Sequence, residues 1–163
     1  DRLFDKIYDY LVDDFNKGIT HLDKVYRQLY QWQLWIIYEI NLPIYIFPRN
    51  MYTKCKDIFC KHNPTISNLH KDVKRYIING EIEYLTESGY SIDIAFPDKK
   101  IAIEVNGPSH YLSDNTLNGP SLLKYRQLRA FGWRIICIPY FEWANILEQD
   151  KNSYIDNKLR DIF

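Results

Sequence analysis

The sequence contains few of the features that mark secreted, membrane-spanning or strongly basic proteins. Its 3 cysteines are too few and too irregularly spaced for a disulfide framework, so a reducing compartment is the simpler interpretation. No apolar run is long enough to cross a bilayer. Basic and acidic residues both number 21, which leaves a formal net charge of +0. Any phosphate-binding surface must therefore be a local patch.

A high content of apolar and aromatic residues distinguishes this chain from a disordered one. Hydrophobic residues make up 46% and aromatic residues 16% of the sequence, which is enough to bury an ordinary core. One domain with an appendage or two small domains would fit the length of 163 residues. The chain begins with Asp1 rather than Met, so we expect a fragment of a longer protein, with any targeting segment outside it.

Residues 1–64 are predicted to form a helical region with a connector. Apolar residues recur at helical spacing from residue 2 to about 17, and Gly18 favours a stop there. Thr20 is a candidate cap for a second helix that runs to about Ile40, which predicts an antiparallel hairpin. Residues 43–64 contain three prolines and no clear period, which predicts a connector with room for one short helix.

Aromatic residues crowd the second predicted helix and have two interpretations. They could be platforms on which nucleic-acid bases stack, or ordinary core residues. Their recurrence at helical spacing within a long apolar stretch favours the core. The residues concerned are Tyr26, Tyr30, Trp32, Trp35 and Tyr38.

Residues 65–163 are predicted to form a small α/β domain. The pattern is a capped helix, three short strands as a meander, a second helix, a buried strand and a final helical turn or two. The predicted ranges are Ser67–Ile78, Ile82–Leu85, Ser91–Phe96, Ile101–Val105, a helix from Gly119 to about Phe131, Trp133–Ile138, and Phe141–Leu147.

The second and third of these strands predict a charged site. Both alternate between apolar and polar or small residues, and the four residues between them suit a hairpin turn. Pairing Phe96 with Ile101 keeps the apolar residues on one face and sets Asp93 directly opposite Glu104. Facing like charges are unfavourable, so a metal ion, a proton or a nearby cation should compensate.

Two chemistries would satisfy this carboxylate pair. Asp93 and Glu104 could hold Mg²⁺ or Mn²⁺ through oxygen ligands, as in metal-dependent nucleases, with His110 as a general acid or base. Such sites normally place a lysine where this chain has Asn106. Alternatively, Lys124 falls on the sheet-facing stripe of the helix that begins at Gly119, and we expect it to neutralise the pair.

The C-terminal part resembles the RAP domain, an RNA-binding module named for its abundance in apicomplexans. Order and spacing agree over about sixty residues. The matching segments are Ser91–Ala95, Ile101–Tyr111, Asn118–Leu128, Gly132–Trp133 and Ile136–Trp143. The resemblance implies a restriction-endonuclease-like fold, related to very-short-patch-repair nucleases, and a role in organellar RNA metabolism.

The resemblance also implies site residues. Asp93, Glu104 and His110 fall on the nuclease-like positions, with Asp93 and Glu104 as metal ligands if the site is active. Asn106 stands where the family usually has an acidic residue, which favours binding over catalysis. The predicted RNA-binding residues are Asn106, Ser109, His110, Lys124, Arg126 and Arg129.

The leading hypothesis is an organellar RNA-binding protein that acts in rRNA or mRNA processing, stability or mitochondrial ribosome assembly. Its expected location is the mitochondrion, with the plastid as the alternative. Its expected partners are organellar ribosomal RNA and mitochondrial ribosomal proteins, with no membrane, small-molecule substrate or cofactor. The alternatives are an active endoribonuclease using Mg²⁺ or Mn²⁺ and a protein-interaction module within a ribonucleoprotein.

Overall fold

The computed structural model describes residues 2–19, 22–61 and 66–160, with the side chains described from residue 5 onward. The chain divides into two compact units, Asp1–His62 and Asn63–Phe163. Within the described ranges, every helix is too short or too polar to span a membrane.

The described residues of the first unit form three helices: α1 (Arg2–Asn16), α2 (Asp23–Tyr38) and α3 (Arg49–Cys60). Gly18 has a φ of +74°, a left-handed conformation that glycine adopts without steric cost, and α1 ends just before it as predicted. The predicted cap Thr20 lies outside the described residues. Leu22 precedes the first turn of α2 and gives it no side-chain cap.

The prediction of a connector over residues 43–64 understated its helical content, because α3 occupies 12 of those residues. The signal was an apolar stripe at intervals of four, three and one residues, which is helical spacing. Its members are all buried: Met51, Cys55, Ile58 and Phe59.

A buried glutamine orders the chain between α2 and α3. The Gln33 amide donates to the carbonyl of Ile44 and accepts from the backbone N–H of Ile46, each at 2.8 Å. Gln33 is 0% exposed, so these two bonds satisfy its amide inside the unit. Among the aromatic residues of α2, Tyr26 and Tyr30 belong to the core as predicted, with exposures of 0% and 1%. The prediction was wrong for Trp35 and Tyr38, which are 37% and 42% exposed.

The second unit is a four-stranded sheet with helices, which confirms the predicted α/β class. Its strands lie in the order β1–β2–β3–β4, with the first three antiparallel and β4 parallel to β3. The strands are β1 (Glu81–Leu85), β2 (Ser91–Phe96), β3 (Ile101–Asn106) and β4 (Arg134–Pro139). The helices are α4 (Asn68–Lys74), α5 (Gly119–Ala130), α6 (Tyr140–Trp143) and α7 (Lys151–Arg160).

Two helix boundaries differ from prediction. The Ser67 hydroxyl caps α4 as expected, but the helix ends at Lys74 because the next turns form i→i+3 bonds instead. The final predicted helix, Phe141–Leu147, is shorter in the structure and covers Tyr140–Trp143. The helix α7 that follows it was not predicted. Only a few apolar positions in α7 reach the core, chiefly Ile155, so its amphipathic signal is weak.

The two faces of the sheet differ in chemistry. Aliphatic side chains such as Ile94, Ile103 and Ile136 form the core with residues of α4 and α7. The opposite face carries Glu104 and Asn106, which bond to side chains of α5. The fold therefore places polar groups of the central strand beneath a helix, out of solvent.

Candidate nucleic-acid interface

The predicted register of the β2–β3 hairpin is correct, but the ladder stops one pair before the predicted carboxylates. Bridges join Phe96 to Ile101 and Ile94 to Ile103. Beyond them, the Asp93 carboxylate takes the place of a backbone partner and accepts a hydrogen bond from the Val105 N–H at 2.7 Å. Asp93 therefore has a structural bond of its own, independent of any ligand.

The predicted contact of Lys124 with the carboxylate pair is present at Glu104. Lys124 Nζ lies 2.6 Å from Glu104 Oε2, and the two side chains are 22% and 2% exposed. Burial raises the pKa of Glu104 to about 7, although the neighbouring ammonium opposes this shift. The nearby Asp93 raises the same pKa, which is the repulsion expected from the register.

A third carboxylate, not predicted to take part in the site, extends the pair across the sheet. The β1–β2 register sets Glu83 opposite Asp93, between the pairs Ile82–Ile94 and Tyr84–Ile92. We call Glu83, Asp93 and Glu104 the acidic row. Pairing the first two predicted strands would have located Glu83, but its φ of +51° breaks the ladder in a way that no sequence pattern indicates.

Polar neighbours surround Glu83. Its carboxylate accepts a hydrogen bond from Ser91 at 3.0 Å and lies 3.4 Å from Nδ1 of the buried His70. Candidate ligand atoms of His70, Glu83 and Asp93 all lie within 4.8 Å of one another. These three residues, with Glu104, are the groups in and beside the acidic row that have the chemistry to hold a divalent cation.

Asn106 is fully buried, and its amide is used inside the unit. Its Nδ2 donates to the Tyr125 hydroxyl at 2.6 Å and to Cys137 Sγ at 3.1 Å. In the described part of the chain, its Oδ1 and the Oε1 of Glu104 have no hydrogen-bond partner. The contact of Asn106 with RNA stays a prediction, and the side chain is 0% exposed in this conformation.

A cavity of about 290 Å³ at the start of α5 brings most of the remaining predicted residues together. Asn118 builds its rim, since its side chain caps α5 at the Ser121 N–H and donates to the carbonyl of Ser109 at 2.7 Å. Four predicted residues line the cavity: Glu104, Ser109, His110 and Lys124.

His110 is one of the titratable residues that line this cavity. Its Nδ1 lies 3.1 Å from the Ser121 hydroxyl. Burial lowers the pKa of His110, which favours the neutral imidazole. A neutral imidazole can both donate and accept a hydrogen bond, so His110 can bind a phosphate or a base without adding charge.

Arg126 and Arg129 lie on the exposed side of α5, away from the cavity, as the helical stripe predicts. Their guanidinium groups can contact phosphates without regard to sequence. The unit therefore presents a polar cavity and two arginines on one helix.

The fold and these groups define a mixed α/β domain with carboxylates on adjacent strands and a polar cavity at a helix start. Residues 103–158 match the family model of the RAP domain, which confirms the resemblance drawn from the sequence motifs. The match lies within the C-terminal unit. RAP domains generally bind RNA, and an RNA-associated role is thereby supported.

A curated relative carries the same domain. The chain is similar to a RAP domain-containing protein, chloroplastic, of Oryza sativa subsp. japonica, with 32% identity over 84 residues. The similarity covers 49% of this chain and spans 13% of the relative's length.

Proposed function

We propose that this chain is an RNA-binding part of an organellar protein that acts in RNA processing, stability or ribosome assembly. The expected organelle is the mitochondrion, with the plastid as the alternative. The chloroplastic relative supports an organelle of one kind or the other. Organellar ribosomal RNA is the expected ligand, with mitochondrial ribosomal proteins as neighbours in the assembly.

The ion pair between Lys124 and Glu104 is the observation that favours binding over cleavage. An ammonium 2.6 Å from Oε2 already supplies the positive charge that a catalytic metal would bring. The same lysine lines the cavity beside Ser109 and His110. The cavity thus offers hydrogen-bonding groups around a neutralised carboxylate, and the arginines of α5 add phosphate contacts.

Salt-dependent RNA binding tests this proposal. We expect the chain to bind single-stranded RNA with an affinity that falls as salt rises, because phosphate contacts release counterions. Replacing Arg126 or Arg129 by Ala should weaken binding several-fold. Lys24→Ala is the charge-matched control, because Lys24 is an exposed cation of α2. Sequencing of RNA crosslinked to the full chain in cells would identify the ligand. Wild-type protein that binds no RNA even at low salt would refute the proposal.

A metal-dependent endoribonuclease is the second candidate. Its support is the pair of buried, unpartnered acceptors, Glu104 Oε1 and Asn106 Oδ1, which suit a hard cation. Asp93 and Glu104 would hold Mg²⁺ or Mn²⁺, which would supply Lewis-acid activation of a phosphodiester. Cleavage in Mn²⁺ that is lost in Glu104→Gln would establish this activity. If wild-type protein in Mn²⁺ leaves the RNA intact, the nuclease candidate is refuted and RNA binding remains the proposed function.

A further inference from the structure

A cavity in the N-terminal unit lies on one face of α3, outside the residues that match the RAP domain. Its volume is about 540 Å³, within the range of sites that hold small organic ligands. Four of its lining residues follow helical spacing along α3, and two come from the preceding segment held by Gln33. They are Arg49, Tyr52, Thr53, Lys56, Tyr45 and Phe47.

Two tyrosines give the cavity aromatic walls set at an angle. The ring centroids of Tyr45 and Tyr52 are 4.9 Å apart, with an interplanar angle of 76°. Tyr45 is 65% exposed although it belongs to an otherwise ordered segment. A T-shaped pair leaves at least one face of each ring uncovered by the other, so the exposed Tyr45 ring can receive a further flat group by stacking.

Two cations border the same cavity without a counter-charge. Within residues 2–19, 22–61 and 66–160, Arg49 and Lys56 form no ion pair, whereas Lys17 in the same unit pairs with Asp13. Pro48 also gives the first turn of α3 no side-chain cap. Aromatic faces beside unpaired cations suit a ligand that is both flat and anionic.

We propose that this cavity binds one unstacked base of single-stranded RNA, with Tyr45 stacking on the base and Arg49 and Lys56 contacting the flanking phosphates. The geometry supports any single-stranded nucleic acid, and the choice of RNA rests on the proposed function. A protein segment is the other class of occupant, but an apolar chain would leave both cations unmatched. The cavity is a second binding site on the chain, separate from the cavity at α5.

The test measures binding of the whole chain to a fluorescent single-stranded RNA. Removing the stacking ring in Tyr45→Ala should weaken binding about 5- to 150-fold, since stacking on an aromatic residue contributes roughly 1–3 kcal/mol per base. Tyr45→Phe should retain nearly all of the affinity. Tyr10→Ala is the matched control, because Tyr10 is also an exposed tyrosine of this unit, at 62%. Photocrosslinking with thiouridine-labelled RNA should modify Tyr45 or Tyr52.

The outcomes separate this site from the C-terminal one. Unchanged affinity in Tyr45→Ala and Arg49→Ala, with weaker binding in Arg126→Ala, would overturn the second site and leave the proposed function standing. Absence of RNA binding by wild-type protein would overturn both. If a bound protein covers Tyr45 and RNA does not, this site would also be overturned. Circular dichroism of each variant checks that it folds.

Discussion

At the scale of single residues, the charge of Glu104 should make the stability of the protein depend on pH. Burial raises the pKa of this carboxyl from 4.5 to about 7, so the folded state holds its proton more tightly than the unfolded state. Between those values the folded chain binds more protons, and the contribution of Glu104 to stability falls as pH rises. Above about pH 8 its contribution should be constant and least favourable.

Glu104→Gln should remove this dependence, because the neutral amide has no proton to lose. Relative to wild type, its free energy of unfolding should rise with pH from 4.5 to about 7, by up to roughly 3 kcal/mol. Urea unfolding at several pH values measures the difference. Glu87→Gln is the control, because Glu87 is an exposed residue of the turn before β2. A Glu104→Gln profile parallel to that of wild type would contradict the assignment.

Some residues of the site could be predicted from the sequence, and others could not. Lys124 was predictable because helical geometry alone puts it on the buried stripe of α5, where it needs an anion. Glu83 was missed because the first two predicted strands were not aligned with each other, and their pairing is what sets it opposite Asp93. Its left-handed backbone is a further feature that alternation of apolar residues does not encode.

At the scale of secondary-structure elements, Asp93 should stabilise the junction between β2 and β3 by one hydrogen bond. Its carboxylate accepts from the Val105 N–H at 2.7 Å, and Val105 is only 6% exposed. Asp93→Asn keeps an oxygen acceptor and removes the repulsion from Glu104, whereas Asp93→Ala leaves the buried N–H without that partner. We therefore expect the alanine variant to be less stable than the asparagine variant by about 1–3 kcal/mol.

Denaturant unfolding of the two variants measures this difference, and amide exchange at Val105 locates it. Exchange of that N–H should accelerate in Asp93→Ala and stay slow in Asp93→Asn. Comparing the variants with each other cancels the effect of removing the charge. Equal stabilities would show that Asp93 does not hold the strands together.

The elements predicted best were those with a strong period and clear turn chemistry. The β2–β3 register followed from alternation and a turn that contains Pro97. The length of α3 was missed because three prolines in its region suggested irregular structure, although only Pro48 adjoins the helix. Proline is tolerated beside the first turn of a helix, so its presence did not exclude one.

At the scale of the whole molecule, neutrality limits how RNA can be bound. With 21 basic and 21 acidic residues, the chain has no long-range field that attracts polyanions, so affinity must come from local contacts. The contacts proposed at the two sites are of two physical kinds, with phosphate contacts at both sites and base stacking at Tyr45. Arginine–phosphate contacts at α5 release counterions, whereas stacking on Tyr45 does not.

Salt titrations of RNA binding should therefore separate the phosphate contacts from the stacking contact. Each arginine that no longer neutralises a phosphate of single-stranded RNA should reduce the slope of log affinity against log salt by about 0.7. Replacing Arg126 and Arg129 together by Ala should thus make the slope shallower by about 1.4. Tyr45→Ala should lower the affinity at every salt concentration and keep the wild-type slope. A shallower slope in Tyr45→Ala would mean that removing the ring displaces Arg49 or Lys56 from phosphate. Stacking would then not be the contribution of Tyr45 to RNA binding.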